Sequence, residues 1–278
     1  MEWAVIVFGL LSAASWGAAD FCGGLATRRV HVFVVNATAQ WVGLLGLVAL
    51  AVSRGEAWPS ATTLAWAVGA GFGGAVGITL LYRALAVGQM GIAAPVTAVL
   101  SAGVPVLVAA VVEGLPDLAQ LLGFGLALVG VWAIAQTQGL GGRPAGLGLA
   151  LVAGLGLGVY LTLMSRGGAE AGVFWPLAVA RAVAAVVLLG LVIWRRPEVG
   201  PVRGVWPVML LAGALDAGGN TLFLLASQAG RLDVAAVLSS LYPAATVALA
   251  WLVLRERLSR PQTLGMLAVL AAVVLISL

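Results

Sequence analysis

The sequence predicts an all-α integral membrane protein with ten transmembrane helices in two inverted five-helix repeats. Three observations predict it. Of 278 residues, 62% are hydrophobic and only 9% charged. A soluble domain carries about 25% charged residues, so most of this chain must face lipid or other apolar helices. Turn residues and charges divide the chain into apolar runs of about 20 residues, the length that crosses a bilayer. The two halves match weakly when shifted by 142 residues, and each half holds five runs. The runs are continuously apolar, which sets them apart from the alternating strands of a spanning barrel.

The segments fall near 3–24, 31–53, 64–87, 91–112, 118–137, 145–165, 173–194, 204–228, 232–254 and 261–278. The first reads MEWAVIVFGLL and lacks a basic stretch ahead of its apolar run, so it is expected to be a spanning helix rather than a cleaved signal. Gly69, Gly73 and Gly77 in the third segment recur at four-residue spacing, as do Gly146, Ala150, Gly154 and Gly158 in the sixth. Such stripes permit close helix approach, or alternatively leave room for a solute along a cavity wall. Pro95 and Pro105 in the fourth segment and Pro243 in the ninth permit bends. The connections, such as TRRVH, GLPD and RERLSR, are short, so successive helices are expected to be antiparallel neighbours with little room for an extramembrane catalytic or regulatory domain.

All 14 basic residues are arginine. Loops after segments 1, 3, 5, 7 and 9 hold Arg28, Arg29, Arg83, Arg143, Arg195, Arg196, Arg203, Arg255, Arg257 and Arg260, against Arg54, Arg166 and Arg231 in the alternate loops. The positive-inside rule then places the odd loops in the cytoplasm and both termini outside, in a multi-pass plasma (inner) membrane protein. Trp3, Trp58, Trp66, Trp175, Trp194, Trp206 and Trp251 fall near segment ends, where headgroup anchoring is expected. Trp16, Trp41 and Trp132 lie deeper and are expected to pack between helices or line a pocket.

The repeat aligns RALAVGQMGIAA (83–94) with LASQAGRLDVAA (225–236), and the acids Glu113 and Glu256 follow the fourth helix of their halves with one residue of slippage. It implies units at 1–140 and 141–278. Five helices per half invert the second copy relative to the first, an arrangement used by secondary transporters. The charges agree: the turn holding Glu113 and Asp117 lacks arginine, while its counterpart carries Arg255, Arg257 and Arg260.

These features resemble the drug/metabolite transporter superfamily, specifically its ten-helix EamA-like members. The resemblance rests on Ser15-Trp16-Gly17, YRALAVGQMGIAAP (82–95), LSSLYPA (238–244) and, most specifically, RERLSRPQTLG (255–265). The first-half counterpart of that turn, EGLPDLAQLLG (113–123), lacks the arginine usual after the acid. The resemblance implies a secondary active transporter working by alternating access around a cavity formed by helices 1–4 and 6–9, with helices 5 and 10 peripheral. It implies export without naming the solute, since related members export amino acids, other metabolites or drugs; a small polar or amphipathic metabolite is expected here, with amino acids the favoured solute.

Polar residues deep in spanning segments are the candidate substrate-binding groups. Asp216 and Asn220 are four apart on helix 8, and Arg181 near the middle of helix 7 is the expected partner of Asp216, as an ion pair or at the opposite end of a zwitterion. Asn36 and Gln40 share a face of helix 2, where they line the site or join helices by hydrogen bonds. Trp16 and Asp20 pair in the same way on helix 1, with a helix-end cap or a salt bridge from Asp20 to Arg28 or Arg29 as the alternative. Tyr82, Tyr160 and Tyr242 carry phenols that need partners if buried, and Tyr82 and Tyr242 complete the candidate site. Asp216 is the expected carboxylate if protons are the coupling ion.

The expected partners are a small-molecule metabolite and membrane lipid. No cofactor, metal or nucleic acid is expected, and oligomeric state is not legible. The single cysteine, Cys22, precludes an internal disulfide, and the single histidine, His31, lies in a loop. No metalloprotease, triad or phosphate-loop motif accompanies them, so an enzyme is not expected. An integral-membrane enzyme or a lipid- or drug-handling protein is the alternative reading.

Overall fold

The computed structural model describes residues 2–112, 118–135, 144–167, 172–229, 235, 238–239 and 241–277. Among these residues there are ten α-helices and no strand: α1 (Glu2–Thr27), α2 (Val32–Ser53), α3 (Ala61–Val87), α4 (Met90–Val112), α5 (Leu118–Ala135), α6 (Leu147–Gly167), α7 (Phe174–Arg195), α8 (Trp206–Ala229), α9 (Tyr242–Leu254) and α10 (Arg260–Ser277). The helices α1, α2, α3, α6, α7 and α8 are long and apolar enough to cross a membrane. The other four contribute shorter apolar stretches, Met90–Pro105, Leu121–Gly130, Tyr242–Leu254 and Thr263–Leu275. Apart from the ninth, each predicted segment coincides with one helix to within a turn.

The ninth segment departs from a continuous helix. Ala235, Leu238 and Ser239 are helical, Leu241 is a turn residue, and the helix begins again at Tyr242 with Pro243 in its first turn. Proline has no N–H to donate and its ring crowds the preceding turn, so the first turn is where a helix accepts it. The expected bend is therefore a restart. Pro95 and Pro105, by contrast, lie inside α4, which runs through both.

Packing joins the two halves. The helix α1 lies against α8, α2 against α7, α3 against α6, and α5 against α10; α1 also packs on α9, and α6 on α4. Both glycine stripes serve these approaches. A Cβ on Gly73 would stand 3.1 Å from the Gly156 carbonyl oxygen, and one on Gly77 would stand 2.8 Å from the Leu157 nitrogen. Gly154 approaches α4 in the same way, with the Thr97 carbonyl oxygen 2.8 Å from its would-be Cβ, and Thr97 donates to the Ala150 oxygen at 3.1 Å. Side chain is absent where helices touch, which replaces the cavity-wall alternative for these contacts. Gly146 stands outside this stripe, just before α6 at a φ of 79°.

Carboxylates tie the helix ends. On the arginine-rich side, Glu256 pairs with Arg28 at 3.3 Å and accepts from the Gly91 N–H at the start of α4, also at 3.3 Å. On the opposite side, Glu56 accepts from the N–H groups of Phe174 (3.0 Å) and Trp175 (2.8 Å), which α7 leaves without intrahelical acceptors. Arg83 lies within α3 rather than in a loop, and is exposed. Arg143, Arg231, Glu113 and Asp117 lie outside the described residues. The end tryptophans Trp3, Trp58, Trp194, Trp206 and Trp251 are well exposed. Trp41 is also exposed, at 40%, so it faces outward and neither packs in the interior nor lines a pocket there. The Trp132 side chain lies outside the described residues.

Candidate functional site

Among the described residues, one cation is buried between apolar helices. Arg181 lies where α7 meets α2 and α3, its residue surface 8% exposed. Its Nη2 forms an ion pair with Asp216 Oδ2 on α8, and its Nη1 donates to Gln40 Oε1 on α2 at 3.3 Å. Gln40 Nε2 in turn donates to Asn36 Oδ1 at 3.1 Å, and Asn36 Nδ2 donates to Thr79 Oγ1 on α3 at 2.9 Å. Thr79 closes the chain by donating to the Ala75 carbonyl oxygen at 2.6 Å.

This polar chain crosses α8, α7, α2 and α3. Gly43 makes room for it, because a Cβ there would lie 3.0 Å from Arg181 Nη1 and 3.2 Å from its Cζ. A buried guanidinium is tolerated only when paired and hydrogen-bonded. Arg181 meets that condition except at Nε, which has no hydrogen-bond partner among the described residues. Asp216 is the more accessible member of the pair, with 28% of its side chain exposed against 10% for Arg181.

A second cluster adjoins the first. The Trp16 ring on α1 stacks at a tilt on Phe223 of α8, centroids 5.9 Å apart, and meets Tyr242 of α9 edge-on at 6.4 Å. Ser101 of α4, whose hydroxyl donates to the Ala98 oxygen at 2.9 Å, lies near the Tyr242 phenol. One turn beyond Trp16 stands Asp20, 8% exposed. The Tyr82 ring of α3 lies against Gly23 of α1, one turn beyond Asp20. Hydroxyl clips hold α1 in place: Ser12 donates to the Gly219 oxygen (2.9 Å) and Ser15 to the Leu215 oxygen (2.6 Å) of α8, while Thr246 of α9 donates to the Gly17 oxygen (3.0 Å).

Among the sequence-predicted residues, the structure joins Asn36, Gln40, Arg181 and Asp216 in one chain, and gathers Trp16, Asp20, Tyr82 and Tyr242 beside it. Asn220 behaves differently. Its Nδ2 donates to the Asp216 backbone oxygen at 2.8 Å, so its side chain is turned onto its own helix. The alternative salt bridge from Asp20 to Arg28 or Arg29 is not among the ion pairs of the described residues, where Arg28 pairs with Glu256. Sequence reasoning missed Thr79, Ser101, Phe223 and Gly43. Hydroxyls and glycines are common in membrane helices, and a phenylalanine among apolar residues carries no signal.

The sequence model of the EamA-like transporter family matches residues 3–136 and, a second time, residues 144–278. No curated protein matches. Sixteen chains of solved structures match. One of them, a crystal structure, superposes with a TM-score of 0.66 at 18% identity over 98% of this chain and 95% of the other. At that identity the likeness concerns the fold alone.

Proposed function

This chain belongs to the EamA-like transporter family, a family of drug/metabolite transporters, and on that footing we propose that it is a secondary active transporter exporting a small polar or amphipathic metabolite. It is a multi-pass membrane protein. Amino acids are the first solutes to test. Residues 1–140 and 141–278 act as inverted halves that rock about a midplane site. The membrane is the plasma (inner) membrane, with both termini outside.

The observation that carries the reading is the Arg181 chain. A charged network buried in a membrane protein is costly, and it reaches from α7 and α8 of the second half to α2 and α3 of the first. It therefore lies where two rocking halves would part. The packing supports the same view, since the contact of α1 with α8 is mirrored by that of α6 with α3. Trp16, Asp20, Asn36, Gln40, Tyr82, Arg181, Asp216 and Tyr242 bind the solute, with Asn220 supporting the backbone at Asp216. Protons are the coupling ion and Asp216 the carboxylate whose pairing with Arg181 changes between states.

The test is flux in proteoliposomes, using radiolabelled amino acids and other metabolites, with and without a proton gradient. Saturable flux that the gradient accelerates, lost or uncoupled in Asp216→Asn, is expected. Equal rates with and without the gradient would remove proton coupling. A folded, inserted wild type that moves nothing would refute transport of these solutes and turn attention to lipids, drugs and membrane-bound catalysis.

A further inference from the structure

Two buried amides stand between Arg181 and Thr79, and their hydrogen bonds can run in only one direction. A guanidinium can only donate, so Arg181 Nη1 must meet the oxygen of Gln40, Oε1, at 3.3 Å. At the far end the Thr79 hydroxyl gives its single proton to the Ala75 carbonyl oxygen of its own helix at 2.6 Å. Toward Asn36 it can then only accept, from Nδ2 at 2.9 Å. These two demands leave the Asn36 oxygen facing the Gln40 amide nitrogen, at 3.1 Å. Turning either amide over would set donor against donor or acceptor against acceptor. Both side chains are buried, where a mispaired polar group is costly. The atom that Gln40 shows Arg181 is therefore decided on α3, two side chains away. Among the described residues Gln40 and Asp216 are the partners of the guanidinium, and its Nε has none.

We propose that Thr79 is a positioning residue of the site. Through Asn36 and Gln40 it fixes an acceptor on Arg181 Nη1, and so holds the guanidinium in one orientation while Asp216 exchanges its pairing for solute. The exchange rests on the transporter reading, whereas the orientation rests on the hydrogen bonds alone. Valine at position 79 keeps the shape but removes the acceptor, which frees both amides to turn. Serine keeps the acceptor.

The orientation is read without any solute, by nitrogen-15 NMR of the purified full-length chain in detergent with labelled arginine. Arg181 is the guanidinium whose signals vanish in Arg181→Gln. Rotation about its Nε–Cζ bond exchanges Nη1 with Nη2, and Gln40 opposes that rotation by holding Nη1. Thr79→Val should speed the exchange at least about threefold, since a hydrogen bond to a charged group is being weakened. Thr79→Ser should stay within about twofold of wild type. So should Thr97→Val, which removes a buried hydroxyl that donates to the Ala150 oxygen away from the site, and which controls for general loosening. If Thr79→Val does not fold, Thr79→Ala carries the same expectation. A smaller rise in the folded variant, an equal rise in Thr97→Val, or a rise in Thr79→Ser as large as with valine would overturn the proposal and leave the transporter reading standing. A chain that shows the expected pattern but moves no solute in proteoliposomes would keep the positioning role and lose the transporter reading.

Discussion

Removing the Asp216 charge should expose how the interior tolerates Arg181. In Asp216→Asn the guanidinium keeps Gln40 at 3.3 Å and an amide in place of the carboxylate, while its Nε already lacks a partner. Breaking a buried ion pair by removing one member costs about 3–5 kcal/mol, and the 28% exposure of the Asp216 side chain puts this case at the lower end, about 3 kcal/mol. Arg181→Gln should cost less, about 2 kcal/mol, because the orphaned Asp216 is the more exposed partner and keeps part of its hydration. With both substitutions neither charge remains, and the cost should stay near 2 kcal/mol, a coupling of about 3 kcal/mol. Reversible unfolding of the purified protein in mixed micelles, titrated with a denaturing detergent, measures all four corners of this cycle. Costs that add to within about 0.5 kcal/mol would show that the two groups do not depend on each other and would refute the reasoning.

Gly43→Ala should crowd Arg181 and cost about 1–2 kcal/mol in the same unfolding assay. Gly46→Ala, whose Cβ would meet only Ala217 Cβ at 3.7 Å, should be neutral or slightly stabilising, and equal effects at the two sites would defeat the steric argument. Glu56→Ala should cost about 1–2 kcal/mol by leaving the Phe174 and Trp175 N–H groups unpaired, and Glu56→Gln should cost less because its amide oxygen still accepts. Alanine and glutamine variants as stable as wild type would show that water replaces the carboxylate there. His31 caps α2 by accepting from the Phe33 N–H at 3.3 Å, and partial burial, with the Arg83 charge second, lowers its pKa. The unfolded state then takes up a proton first, so His31 leaves stability intact above about pH 6.5 and erodes it as pH falls through that value toward the lower folded pKa. As the single histidine its imidazole proton resonances are unambiguous. Titration at or above the ordinary value, or an unaltered pH profile in His31→Asn, would contradict this account.

Much of the fold was legible in the sequence because charge is so scarce in it. When 9% of residues are charged, each apolar run and each turn stands out, and helix ends can be placed to within a turn. The same scarcity made Arg181, Asp216, Gln40 and Asn36 conspicuous, since a polar group at membrane depth needs a reason to be there. The sequence alone thus determined a multi-pass helical protein with a polar interior and named most of the residues in it. Tertiary structure decided which way each helix is turned. In a soluble helix, periodicity separates the buried face from the wet one, but here lipid and interior are both apolar and the pattern is nearly blank. Only packing could turn Trp41 outward, bring Thr79 to Asn36 and bend Asn220 onto its own backbone. Only packing, too, could give Arg28 to Glu256, 228 residues away. Those choices follow from helix rotation and from contacts between halves, which no local stretch of chain encodes.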